Sequence, residues 1–197
     1  MENNDPLSAS DSLKLIESMI YKAQNRFTEN GTLYLLWGWV VFICSISQYF
    51  LAKIMSFSQA SLVWSVTILV FVYQIIYLTK KKKNEQVRTY TDEIIGYVWM
   101  TFGICMGLVT FIVGSKDAWS IIYPIIFLFY GIPTFLSGSI MRFTPLKIGG
   151  IWCWILSIVA LFIHSIEIIL LFIPAVLAGW IIPGYLLRAK FKKSFNG

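Results

Sequence analysis

The sequence predicts an all-α membrane protein: a bundle of six transmembrane helices preceded by a cytosolic amphipathic helix. Three observations carry that prediction. First, 57% of the 197 residues are hydrophobic and 13% are charged, against about 25% charged in a soluble domain. There is too little polar surface to cover such a core in water. Second, the apolar residues fall into six long continuous runs, and a helix needs about 20 such residues to cross a hydrocarbon core of about 30 Å. Third, Lys and Arg are concentrated in alternate connecting segments, as expected of a chain threaded through a bilayer. Only helices and closed barrels satisfy every backbone amide within lipid, and the runs lack the alternation of barrel strands.

Taken in order, residues 1–30 form the first unit. Leu13, Ile16, Ile20, Ala23 and Phe27 recur at helical spacing, with Lys14, Glu17, Lys22 and Arg26 on other faces, which predicts an amphipathic helix over residues 10–28. Ser8 with Asp11, or Ser10, can cap its start, and Asn30-Gly31 can end it. It suits the headgroup level, the bundle's own cytosolic face or a protein partner. No cleavable signal is expected, because about thirty mostly polar residues precede the first apolar run. Residues 31–188 hold spans at about 33–52, 60–78, 94–113, 118–141, 147–163 and 167–187, and residues 189–197 are a basic cytosolic tail. Asp117 before span four, and Thr144-Pro145 before span five, have the chemistry of helix starts.

Fourteen of the 16 Lys and Arg residues fall on one side of this arrangement, with only Lys53 and Lys116 on the other. The positive-inside rule then predicts that both termini are cytosolic. Lys80, Lys81, Lys82 and Lys83 are the largest single contribution, and near an anionic leaflet each is worth about 1 kcal/mol, so lipid headgroup contact is expected there. Nucleic acid is not an expected partner, since the basic residues lie in short segments between spans. Cys44, Cys105 and Cys153 all sit inside apolar runs without metal-ligand spacing, and read as reduced packing residues.

The spans are readable as three same-orientation hairpins. Trp37, Trp39, Trp99, Trp152 and Trp154 lie toward the cytosolic ends of the odd spans. Pro124 and Pro133 in span four match Pro174 and Pro183 in span six, each with an aromatic, Tyr130 or Trp180, three residues before the second proline. Such prolines are candidate hinges, or static kinks that shape packing. In span three, Gly96, Gly103, Gly107 and Gly114 share one face, a candidate packing seam within the bundle or between two copies. His164 and Glu167 form a candidate outer-side polar pair. Two crossings must fit between Lys147 and Arg188, so span five is short, the bilayer thins, or this turn dips below the surface, where Glu167 would favour its neutral form. Gln48, Thr67, Gln74, Thr101, Thr110, Ser137 and Ser157 are mid-membrane polar groups able to bond between helices.

Ser12-Leu13 and Ile16 to Ile20, leading through Asn30-Gly31 into Leu35-Leu36-Trp37-Gly38-Trp39, resemble a group of small uncharacterised bacterial membrane proteins with a short cytosolic helix before an L-L-W-G-W-type first span. The resemblance covers about residues 10–45, implies a bacterial inner-membrane location and implies no activity.

For function, no His-Glu-x-x-His, paired intramembrane Asp or phosphate-binding Gly loop is present, and His164 is the sole histidine. The expectation is a non-enzymatic accessory, regulatory or scaffold subunit acting through helix packing, without a cofactor or metal. Its expected partners are anionic lipid, a membrane or cytosolic protein meeting residues 10–28, and a second copy. The alternative is a small transporter or channel for a neutral or lipid-like molecule.

Overall fold

The computed structural model describes residues 31–57, 59–84, 90–116 and 119–195. The amphipathic stretch 10–28, its caps and Asp117 lie outside the described residues. The chain is about 90% helical without strands among the described residues, and it forms an all-α membrane bundle. Span one is α1, Thr32–Lys53. Span two begins as a 3-10 turn, Ala60–Ser65, and continues as α2, Val66–Asn84. Span three is α3, Tyr90–Ser115. A 3-10 turn, Trp119–Ile121, leads into α4, Ile122–Ile140, which is span four. Span five is α5, Thr144–Ala160. Span six is composite: a 3-10 segment Ile166–Leu171, α6 Phe172–Val176, a π turn Leu177–Ile181, and α7 Ile182–Phe195. The basic tail from residue 189 thus continues the last helix through Phe195 rather than starting a separate segment.

Five of these spans are long and apolar enough to cross a membrane; α5 is the short one. Its 17 residues rise about 25 Å, below the usual hydrocarbon thickness. The tight sequence length between Lys147 and Arg188 is therefore met by shortening span five. Pro145 stands in the first turn of α5 as expected, but Thr144 is already helical and no side chain caps the start.

Spans one, four, five and six make the core, and spans two and three lie on its flanks. The closest pairing is α4 against α5. Their connection is a Schellman turn: Phe143 N–H bonds to Gly138 O at 2.8 Å, Arg142 N–H bonds to Ser139 O at 3.2 Å, and Arg142 adopts φ 50°. That left-handed residue is usually glycine. Beyond the turn, glycines let the two backbones approach. A Cβ at Gly131 would meet Trp154 and lie 2.9 Å from Gly150 O; one at Gly150 would lie 2.8 Å from Phe135 N. On the other side of α5, a Cβ at Gly149 would be 2.7 Å from the Gly179 Cα of span six. Gly31, at φ 71°, sets the start of α1 against Gly184.

The span-three glycines behave differently. Nothing lies within 4 Å of a Cβ placed at Gly96, Gly103 or Gly107, and at Gly114 only the Trp119 ring is near, at 3.4 Å. They are not a seam inside this bundle. Span three packs through another face, with Ile95 and Val113 buried and Trp99 and Phe102 reaching inward.

Two substitutions test this division. Gly131→Val should destabilise the purified protein by about 1–3 kcal/mol or more through overpacking, whereas Gly103→Ala should leave stability unchanged or raise it by up to about 1 kcal/mol through helix propensity, both read from unfolding in mild detergent. Arg142→Gly should stabilise by about 1 kcal/mol by relieving the left-handed conformation, measured the same way.

Candidate functional site

The interior of the bundle is filled by aromatic rings. Phe172 of span six meets Trp64, Tyr123, Phe127 and Tyr130, with centroids 4.8–6.2 Å apart. Tyr130 in turn meets Trp180 at 4.7 Å and Phe102 at 5.9 Å. Trp99 joins this set to the start of span one through Trp180 at 5.9 Å and Tyr34 at 5.7 Å. Tilted and edge-on rings at these separations attract one another through their quadrupoles as well as by burial. Tyr130 and Trp180 are the two aromatics that precede the second prolines of spans four and six, and the fold stacks them on each other. The equivalent Tyr73 of span two is 55% exposed and stacks on Tyr77 instead, so spans four and six share the pattern and span two does not.

Indole N–H groups inside lipid need internal partners, and four of them tie helices together, Trp154 Nε1 donating to Leu128 O at 3.2 Å. Trp180 Nε1 donates to Thr134 Oγ1 at 3.0 Å, and that hydroxyl donates to Tyr130 O at 2.7 Å. Spans one and two form a reciprocal pair: Trp37 Nε1 donates to Gln74 Oε1 and Trp64 Nε1 donates to Gln48 Oε1, both at 2.6 Å. The two largest polar side chains singled out in the sequence thus work as a clamp at two levels. Span two has little else, for the window that qualifies it as a span buries none of its residues.

The four prolines do not act alike. Pro124 stands in the first turn of α4, where a helix has no use for its N–H; it is not a kink. Pro133 is inside α4 and interrupts the hydrogen-bond ladder there. Pro174 and Pro183 stand near the starts of α6 and α7, on either side of the π turn. Two carbonyls in these segments accept hydroxyls from other helices: Ser157 Oγ donates to Pro124 O at 2.7 Å and Ser45 Oγ donates to Ile169 O at 2.7 Å. The prolines are dispersed among packed helices and do not line one polar cavity. Among the described residues, Ser137 Oγ is a buried group without a hydrogen-bond partner.

At the end of the bundle where α1 finishes and span six begins, Glu167 pairs with a residue other than His164. Glu167 Oε1 receives Lys53 Nζ at 2.7 Å, with side chains 41% and 52% exposed, and His164 is exposed. An ammonium beside a carboxylate favours its ionised form, so Lys53 offsets the preference for a neutral Glu167 that burial of this turn would bring. The pair also balances Lys53, one of the two basic residues on the sparse side. Lys80 is exposed at the other end of the molecule; the side chains of Lys81, Lys82 and Lys83 lie outside the described residues.

Two surfaces of span three remain open. One is the span-three face that carries Gly96, Gly103 and Gly107. The other is an apolar groove of ≈ 430 Å³ between α3 and α4, with Thr101 and Cys105 on one wall and Phe129 and Leu136 on the other. Among the described residues no three His, Cys, Asp or Glu side chains come together. No protein-family model, curated protein or solved structure matches this chain.

Sequence reasoning missed Thr134, Ser45 and the packing glycines of spans four and five, whereas Ala175 and Gly179 of span six were legible as a small-x-x-x-small pair. Gly131 and Gly138 stand seven apart, the same signal that drew attention to span three, so the information was present but unranked. Thr134→Val should cost about 1–3 kcal/mol by leaving a buried indole N–H unpaired, while Thr134→Ser should restore most of it, read from unfolding in detergent. Gln48→Leu with Gln74→Leu should cost about 1–3 kcal/mol together and raise the rate of protease cleavage near residues 84–89, since span two would lose both fastenings.

Proposed function

We propose that this protein is a non-enzymatic accessory, regulatory or scaffold subunit of a bacterial inner membrane, with both termini in the cytosol, working through helix contacts. The observation that supports this best is the division of labour among the spans. Four helices and their aromatic core make a solid body, while spans two and three project apolar faces that the chain itself leaves uncovered. Lipid supplies no hydrophobic drive between helices, so a glycine face that permits close backbone approach is the kind of surface a second membrane helix uses. The partner is a second copy of this chain or another membrane protein; the amphipathic residues 10–28 offer a further contact on the cytosolic side, and Lys80 to Lys83 meet anionic headgroups. Orientation rests on the fourteen-to-two distribution of basic residues.

The alternative, a small transporter for a neutral or lipid-like molecule, draws on the π turn between Pro174 and Pro183, since such turns recur at functional sites. The ring-filled interior weighs against an aqueous route.

The test uses tagged full-length protein purified from its native membrane in mild detergent. A stoichiometric partner or a homodimer is expected, and Gly103→Leu with Gly107→Leu should dissolve it while leaving the melting temperature unchanged, because a Cβ at either position has open space around it to 4 Å. A monomer without partners, in wild type and variant alike, would overturn the proposal; flux of a neutral solute in proteoliposomes would put the transporter in its place.

A further inference from the structure

The groove between spans three and four is built at a depth and with a mouth that select its occupant. Tyr97, Thr101 and Cys105 form one wall, each four residues from the next, so they stack along one face of α3. Phe129, Pro133 and Leu136 form the facing wall on α4. From residue 93 to residue 105, α3 rises about 18 Å, against about 15 Å for half of the hydrocarbon core. The groove therefore runs the depth of one leaflet, open to lipid along its length. At its headgroup end stands Glu93, exposed, accepting a hydrogen bond from the Tyr97 hydroxyl at 3.0 Å. A carboxylate has room for further donors beyond that one. Among the described side chains at this end of the molecule, Lys80, Arg142, Arg188, Lys190 and Lys192 are exposed and basic. A carboxylate at the mouth disfavours a bare phosphate and favours an ammonium.

We infer that this groove is a binding site for a phospholipid bearing a primary amine, phosphatidylethanolamine, with one acyl chain along Tyr97, Thr101 and Cys105 and the headgroup ammonium on Glu93. The carboxylate distinguishes headgroups by physical means. An ethanolamine ammonium presents three N–H donors for a charge-assisted hydrogen bond, a choline group presents none, and a glycerol phosphate brings only negative net charge. The inference stands on the bilayer setting and is independent of which protein, if any, covers the Gly103 face.

The experiment is native mass spectrometry of the full-length protein, delipidated and then offered phosphatidylethanolamine, phosphatidylcholine or phosphatidylglycerol with identical chains. The wild type is expected to retain phosphatidylethanolamine about threefold or more over each of the others. Glu93→Gln should bring phosphatidylethanolamine and phosphatidylcholine level, at an exposed position where folding is undisturbed. Thr101→Trp, filling the groove from an exposed position, should abolish the retained lipid of every class; Leu136→Trp fills it from the other wall should the first variant melt early. Equal retention of phosphatidylcholine, or preference for phosphatidylglycerol, would overturn the inference by assigning the lipid to the basic side chains or to no site. So would an unchanged preference in Glu93→Gln, or lipid still retained in a folded groove-filled variant.

Discussion

Close backbone approach at glycine is the constraint on which the rest of the structure depends. Gly131 and Gly150 bring α4 against α5, and Gly149 brings α5 against Gly179 of span six, at distances where a Cβ on Gly131, Gly150 or Gly149 would collide. In lipid the attraction between helices comes from dispersion and hydrogen bonds, both of short range. Without these approaches Trp154 would not reach Leu128 O, nor Trp180 reach Thr134. The glycine contacts thus place the donors that then fasten the helices.

The aromatic interior follows from the same geometry. Once spans four, five and six are close, the space toward spans one and three is wide enough for rings and little else, and Phe172, Tyr130, Trp180 and Trp99 fill it. The polar atoms that these rings carry are satisfied by neighbours rather than by water. The flanking spans are attached by a different principle. Span two is held by two Trp–Gln bonds and a Trp64–Phe172 contact, and span three by a strip of rings, which leaves most of their surface to lipid or to other helices.

The two open surfaces lie on the same helix and differ in chemistry. The glycine face is smooth and suits another backbone; the groove beside α4 is apolar with a carboxylate at its mouth and suits a lipid. A helix that meets the core on one side, a lipid on the second and a partner on the third would couple headgroup composition to assembly through ordinary packing.

What the sequence determined by itself was the set of elements and their environment. Composition, run length and the placement of Lys and Arg speak of lipid against water, a property each segment carries alone, so the all-α membrane class and the six apolar spans were legible. Counting residues between Lys147 and Arg188 left a short span five as one of three alternatives, and the 17 residues of α5 are the tertiary structure's answer. What only the tertiary structure decided was which face of each helix meets which neighbour. Gly96 with Gly103 and Gly131 with Gly138 share one spacing, yet the first pair faces open space and the second a packed helix, because a glycine permits approach without specifying a partner. In the same way His164 stands nearer to Glu167 along the chain, but the end of α1 delivers Lys53 to that carboxylate. Proximity in sequence sets what is possible within one turn; the crossing of distant helices sets what is touched.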